Sequence, residues 1–389
     1  MRIRLKAGLV LAMALVCGSA AASAQPVKKK KHKKVVIGYL FGGRGTGKID
    51  ASMVKAAKMT RINYAFFVLK GGVIVDYGEN DADNLAALNS LRKDNPALQI
   101  LVSVGGGGAG SAGFSEMAAT PEGRAKFVDS AVAIVQKYNL DGIDIDWEYP
   151  GYSHTQGVNV RPDDGDHYTA LLKELKTRFN KEEKRLHRKL YTSSATGATR
   201  TWLDHTNMHE ASRWLDSINM MCYDWYSATA KNTGHDSPLY TNPLDPKKIS
   251  IDDAVHMYHD AGVPMRKLVI GVPFYGRRWE GVGDTNHGLF QPVAGLAPGA
   301  EPPRGGGSLG QIEPLVNNAG FVRYWDDVAL TPYLYNSETR SFISYQDAQS
   351  ELERTKYVKK HHLQGIMFWQ YMGDVNNVLL DAIDKGFDW

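Results

Sequence analysis

Short apolar, β-prone runs recur along the chain at residues 35–41, 61–69, 98–104, 141–147, 190–194, 218–223, 268–274 and 365–369. Each has the length of a strand, and the stretches between them change period. Residues 121–138, 164–183, 251–261, 345–360 and 375–385 space their apolar positions for one face of a helix. Pro121 and Asp164 suit first-turn positions, and Glu122 places negative charge where the helix dipole favours it. Eight strand-then-helix units predict an α/β fold, a closed (β/α)8 TIM barrel, in which reactive groups stand at the C-terminal ends of the strands. Tyr39, Ser103, Asp146, Glu148, Tyr223, Asp224 and Trp369 all fall at or just past such ends.

The spacing breaks once. The interval between the seventh and eighth runs is far longer than one helix needs, and it holds a Gly/Pro-rich stretch at 295–310. Strand-like runs at 321–326, 332–336 and 341–344 follow. Residues 278–344 are therefore predicted to be a small α+β insertion domain inside the barrel domain of residues 35–389, walling one side of the strand ends.

Composition adds a destination. Residues 1–24 have a basic start (Arg2, Arg4, Lys6), an apolar run from Ala7 to Val16 and the small-residue site Ala22-Ser23-Ala24, the pattern of a secretory signal peptide cleaved after Ala24. The protein is expected outside the cytoplasm, extracellular or periplasmic, as a monomer without a membrane span. Removing that segment leaves Cys222 as the one cysteine, so no internal disulfide is expected, and Met220-Met221-Cys222-Tyr223 reads as a buried apolar run. The histidines lack zinc-site spacing, and neither a metal nor a cofactor is expected.

Charge is uneven. Residues 25–34 carry six of the lysines, a block expected to be disordered. Of 46 Lys+Arg, setting aside those six and the three in the export segment leaves 37 against 42 Asp+Glu. The body is therefore acidic, which argues against a nucleic-acid partner.

The chemistry is concentrated in one strand. In Asp144-Ile145-Asp146-Trp147-Glu148 the acids alternate with apolar residues, so three carboxyl groups share one face. A solvated acidic edge strand would also give this pattern, but the flanking apolar face marks a core element. Crowded, buried carboxyls raise one another's pKa, a cost that suits chemistry needing a protonated carboxyl near neutral pH.

Asp141-Gly-Ile-Asp144-Ile-Asp146-Trp-Glu148 resembles the DxxDxDxE signature of glycoside hydrolase family 18, the chitinases and related β-N-acetylglucosaminidases. Ser103-Val-Gly-Gly resembles its SxGG motif, Met221-Cys-Tyr223-Asp224 its MxYD motif, and Pro273-Phe-Tyr-Gly-Arg277 the segment before its insertion. The resemblance implies a secreted enzyme that hydrolyses β-1,4 bonds of chitin or chito-oligosaccharides. Glu148 would be the general acid. Asp146 is its neighbour on the strand and not an opposing nucleophile, so the substrate's own 2-acetamido oxygen would attack, as in this substrate-assisted, retaining family.

The resemblance also implies roles for the neighbours. Asp146 would hold the acetamide N–H, sharing a proton with Asp144, which Tyr39 and Ser103 would hydrogen-bond. Tyr223 would orient the acetamide oxygen, Asp224 would hold the sugar, and Trp369 would form its floor. Trp147, Trp225, Tyr275 and Arg277 complete the expected substrate-binding set. The chain departs from long-cleft members after SxGG, where Gly107 stands in place of a tryptophan, and this favours soluble or amorphous oligomers over crystalline chitin. An endo-β-N-acetylglucosaminidase acting on N-glycans or wall polymers, or a non-hydrolytic chitin-binding lectin, are the alternatives.

Overall fold

The computed structural model describes residues 34–42, 47–227, 229–293 and 307–388. The expected signal peptide and residues 25–33 of the basic tail lie outside the described residues, as does much of the Gly/Pro-rich stretch. The eight apolar runs form β1 (Val35–Phe41), β2 (Arg61–Lys70), β3 (Gln99–Gly105), β4 (Gly142–Asp146), β5 (Tyr191–Gly197), β6 (Ser217–Met221), β7 (Leu268–Pro273) and β8 (Gly365–Trp369). Neighbours pair in parallel around the ring, and β1 pairs with both β2 and β8, closing the barrel. Strand ends differ from expectation by a few residues. One helix starts at Ala348 and not at Tyr345, because Asp347 and Ser350 form a reciprocal capping box there.

The two faces of the strands have different tasks. Outward residues such as Val36, Ile62, Val102, Ile143, Ile145, Ile218 and Ile270 share one core with Phe127, Leu171, Leu172 and Val358 from the surrounding helices. Each such side chain contributes about 1.5–3 kcal/mol by leaving water, so this layer supplies most of the driving force for folding. Inside the barrel, one side is apolar, with Ile37, Ala65, Val269 and Met367. The other is polar and equally buried, with Asn63, Ser103, Asp144, Ser193 and Asn219.

Between β7 and β8 the chain builds an antiparallel sheet from Tyr275–Trp279, Gly307–Ser308, Val322–Asp326, Thr331–Asn336 and Ser341–Ser344. It begins at Tyr275, earlier than the expected Arg278, since Tyr275 already pairs with Ser308. Trp279, Val282, Tyr333, Tyr335 and Phe342 give it an apolar core of its own, joined by Tyr226. Cys222 is buried, and burial pushes its thiol up to about 12, which leaves it unreactive at neutral pH.

Candidate active site

On β4 the alternation points Ile143 and Ile145 outward and Asp144 and Asp146 into the barrel. In-register pairing sets Ser103 of β3 and Ser193 of β5 on either side of Asp144. Asp144 Oδ2 accepts from Tyr39 Oη and Ser103 Oγ, both at 2.8 Å. Its Oδ1 accepts from Ser193 Oγ at 2.6 Å and Asn219 Nδ2 at 3.1 Å. Asn219 also donates to the Tyr39 hydroxyl at 3.0 Å, which directs that hydroxyl's proton to Asp144. Burial raises the Asp144 carboxyl above its ordinary range, while three of these donors and buried Arg61 pull it down. With two donors on each oxygen the carboxylate's lone pairs are filled, so we read Asp144 as a fixed anion.

Asp146 contrasts with it. Burial, then Glu148, then Asp144 push its carboxyl well above the usual range, and it shares a hydrogen bond with Glu148. Where a proton shared between Asp144 and Asp146 was expected, the four donors on Asp144 leave it no lone pair to spare, and the hydrogen bond of Asp146 runs to Glu148. Burial also raises Glu148, with Asp224 adding to that rise, against hydrogen bonds from Tyr149 and Asp146.

The backbone around this strand end is held closely. Ser111 Oγ accepts the Glu148 N–H at 2.7 Å and donates to Gly106 O at 3.0 Å. Gly106 donates its own N–H to Asp146 O at 2.8 Å. Gly105 has φ of 116°, and a Cβ there would stand 2.1 Å from that same carbonyl oxygen. This close approach accounts for the first glycine of Ser103-Val-Gly-Gly.

A cavity of about 540 Å³ opens over these groups, lined by Asp146, Glu148, Tyr223, Asp224, Trp225 and Trp369 among others. Trp369 stacks on Phe66 with centroids 5.4 Å apart and also meets Tyr39 and Phe41. Phe66 sits where the β2–β3 register slips between Ala65 and Phe67, and this irregularity turns its ring into the cleft. Farther along, Tyr149 and Tyr152 stack at 4.7 Å, beside His154. The peptide bonds after Ala65, Glu148 and Trp369, all lining this region, are cis.

Tyr223 follows the end of β6, and its hydroxyl has no hydrogen-bond partner among the described residues. Asp224 takes a left-handed backbone, φ 61°, a conformation that aspartate tolerates better than most residues. Its Oδ1 accepts from Tyr275 Oη at 2.7 Å, from Arg277 Nε at 3.2 Å and from Arg277 Nη2.

Several sequence expectations need correction. Trp147 is only 1% exposed and stacks on Phe114 at 5.3 Å in the outer core, so it is no part of the cleft. It shares the parity of Ile143 and Ile145, which is the outward one. Ser103 is fully buried and can influence a substrate only through Asp144. Tyr275 and Arg277 hold Asp224 rather than lining the cavity themselves. The sequence reading missed Ser193 and Asn219, which strand parity from Asp144 outward would have found, and Phe66, which the register slip hid. It also missed Asp236, which accepts the Asp224 N–H. Among the described residues, no group of three His, Cys, Asp or Glu side chains is placed to hold a metal ion.

Residues 35–374 match the family described as Glycosyl hydrolases family 18. The chain is 37% identical over 310 residues to Chitinase A1 of Niallia circulans, covering 78% of this chain and 44% of that protein. It is 31% identical over 436 residues to Chitinase B of Serratia marcescens, covering 92% and 84%. In three dimensions it is similar to a glycoside hydrolase family 18 N-acetylglucosaminidase from Paenibacillus barengoltzii, with a TM-score of 0.82, 38% identity, and 91% and 99% of the two chains covered. The chain thus spans less than half the length of the first relative and most of the other two.

Proposed function

The chain belongs to glycosyl hydrolase family 18, and we propose that it is a secreted chitinase that cuts β-1,4 bonds between N-acetylglucosamine units with retention of configuration. The observation that carries this reading is the linked carboxyl pair Asp146–Glu148 beside the fixed anion Asp144, facing a cavity whose remaining acid, Asp224, is occupied by Tyr275 and Arg277. Among the described residues such a site offers a proton but no free carboxylate nucleophile, and a 2-acetamido sugar brings its own.

In this reading Glu148 protonates the leaving oxygen while the acetamide oxygen attacks the anomeric carbon, so the glycosidic bond breaks as a cyclic oxazolinium forms. Asp146 turns from Glu148 to the acetamide N–H as a carboxylate, leaving their shared proton on Glu148 for the leaving oxygen, and the Asp144 anion balances the positive intermediate. Tyr223, with its hydroxyl free of partners among the described residues, donates to the acetamide oxygen and orients it. Trp369 supports the sugar's apolar face. Water then opens the oxazolinium on the face that the leaving group left, passing its proton to Glu148.

Export rests on the pattern of residues 1–24, followed by a basic tail at 25–34, and the sheet between β7 and β8, from Tyr275 to Ser344, serves as an insertion domain. Among the described residues no helix is long and apolar enough to cross a membrane.

A second reading, release of single N-acetylglucosamine units, is favoured by the Paenibacillus barengoltzii match, which covers 99% of that chain. Wild type and Glu148→Gln, incubated with N-acetylglucosamine oligomers and with a high-mannose glycoprotein, separate the possibilities. Oligomer cleavage giving an initial β-anomer, lost in the variant, is expected. An initial α-anomer would sink the retaining mechanism, exclusive release of monomer would favour the second reading, and cleavage of the glycoprotein alone would move the activity to N-glycans.

A further inference from the structure

Behind Asp224 lies a second carboxylate that the proposed chemistry leaves unused. Asp236 is wholly buried, and its backbone N–H is anchored to Ser344 Oγ at 2.8 Å. Its Oδ1 accepts the Asp224 N–H at 3.1 Å, while Oδ2 is buried without a hydrogen-bond partner among the described residues. The charged and titratable groups facing it are Asp224, Arg277 and Tyr275. The neighbouring His235 ring is turned away to Asp326.

Two carboxyl groups therefore compete for one guanidinium. Arg277 bonds Asp224, whose side chain is 48% exposed, and keeps Asp236 Oδ1 at 3.8 Å from its Nε. A carboxylate at 0% exposure with one oxygen unsatisfied is far costlier than an exposed one. The buried member is therefore the one that holds a proton more readily. Burial and the charge on Asp224 both raise its affinity for that proton.

We propose that Asp236 is a positioning residue: neutral, it leaves Arg277 to clamp Asp224 for sugar binding, and once ionised it draws Arg277 inward and loosens that clamp. This rests on reading Asp224 as a sugar-holding group. Replacement by Asn mimics the protonated form and keeps an acceptor for the Asp224 N–H.

The test uses Glu148→Gln as background, which removes that residue's own titration, and measures calorimetric binding of the N-acetylglucosamine tetramer from mildly acid to alkaline pH. The ratio of dissociation constants, Glu148→Gln over Glu148→Gln/Asp236→Asn, should climb roughly tenfold per pH unit once Asp236 ionises. A ratio that stays constant with pH overturns the proposal. Glu148→Gln/Arg277→Gln, lacking the guanidinium to be moved, should bind weakly and without the alkaline loss; retention of that loss would also overturn it. If no protein binds the tetramer at any pH, the functional reading fails, and infrared spectra decide about Asp236 separately. The carbonyl stretch of a protonated carboxylic acid should be weaker in Glu148→Gln/Asp236→Asn than in Glu148→Gln at the mildly acid end of the series, and identical spectra would refute the protonated Asp236.

Discussion

Asp144 and Asp236 are equally withdrawn from solvent, one inside the barrel and one behind Asp224, yet they are held in opposite ways. Asp144 receives four side-chain hydrogen bonds, two on each oxygen, with Arg61 nearby. Asp236 receives one backbone N–H and shares a guanidinium that bonds another acid. Burial penalises both charges alike, so it cannot be what separates them. The donor count does: a saturated carboxylate is a permanent anion, and an under-supplied one becomes a proton carrier.

That contrast can be broken at several points. The largest effect is expected at Glu148, the group that works beside the Asp144 anion. Glu148→Gln should lower kcat by roughly 10³-fold with little change in KM, measured on the tetramer. Tyr223, between the two regions, should come next, since Tyr223→Phe removes one donor to the acetamide oxygen and should cost about 10²-fold in kcat. In stability the regions themselves should diverge. Asp144→Ala strands a set of buried donors and should cost about 3–5 kcal/mol in denaturant unfolding, whereas Asp236→Ala deprives one N–H of its acceptor and should cost about 1 kcal/mol. Equal losses would mean that donor count is not what distinguishes them.

The smallest and most diagnostic effect is in pH. Asp236 has a raised folded-state pKa, so the native state holds more protons than the unfolded chain over the window between the two values. Its contribution is fully present below the unfolded value and is lost as pH rises through the folded one. The stability of wild type relative to Asp236→Asn should accordingly fall with rising pH, read from urea midpoints. For Glu148, also raised, kcat should fall as pH climbs through its pKa, because the protonated form is the acid.

The barrel was legible because its strands are continuous apolar runs buried on their outer face, and the acids on β4 because strict alternation leaves a period-two signature. That alternation already set Trp147 apart from Asp144, Asp146 and Glu148, and the structure follows parity. Phe66 was illegible, since a register slip cannot be seen from residue types alone. Asp236 was hidden for another reason. It lies in an irregular loop 12 residues from Asp224, and its significance depends on Arg277 arriving from another sheet. Pairings of that kind exist only after the chain has folded.

The central claim is that this strand end acts on a sugar that supplies its own nucleophile. The most direct measurement compares kcat/KM for the N-acetylglucosamine tetramer with that for the fully de-N-acetylated tetramer under the same conditions. Cleavage of the first and a loss of at least about 10³-fold for the second is expected, since the attacking carbonyl oxygen is gone. Comparable cleavage of both would contradict it and require a nucleophile from the protein itself.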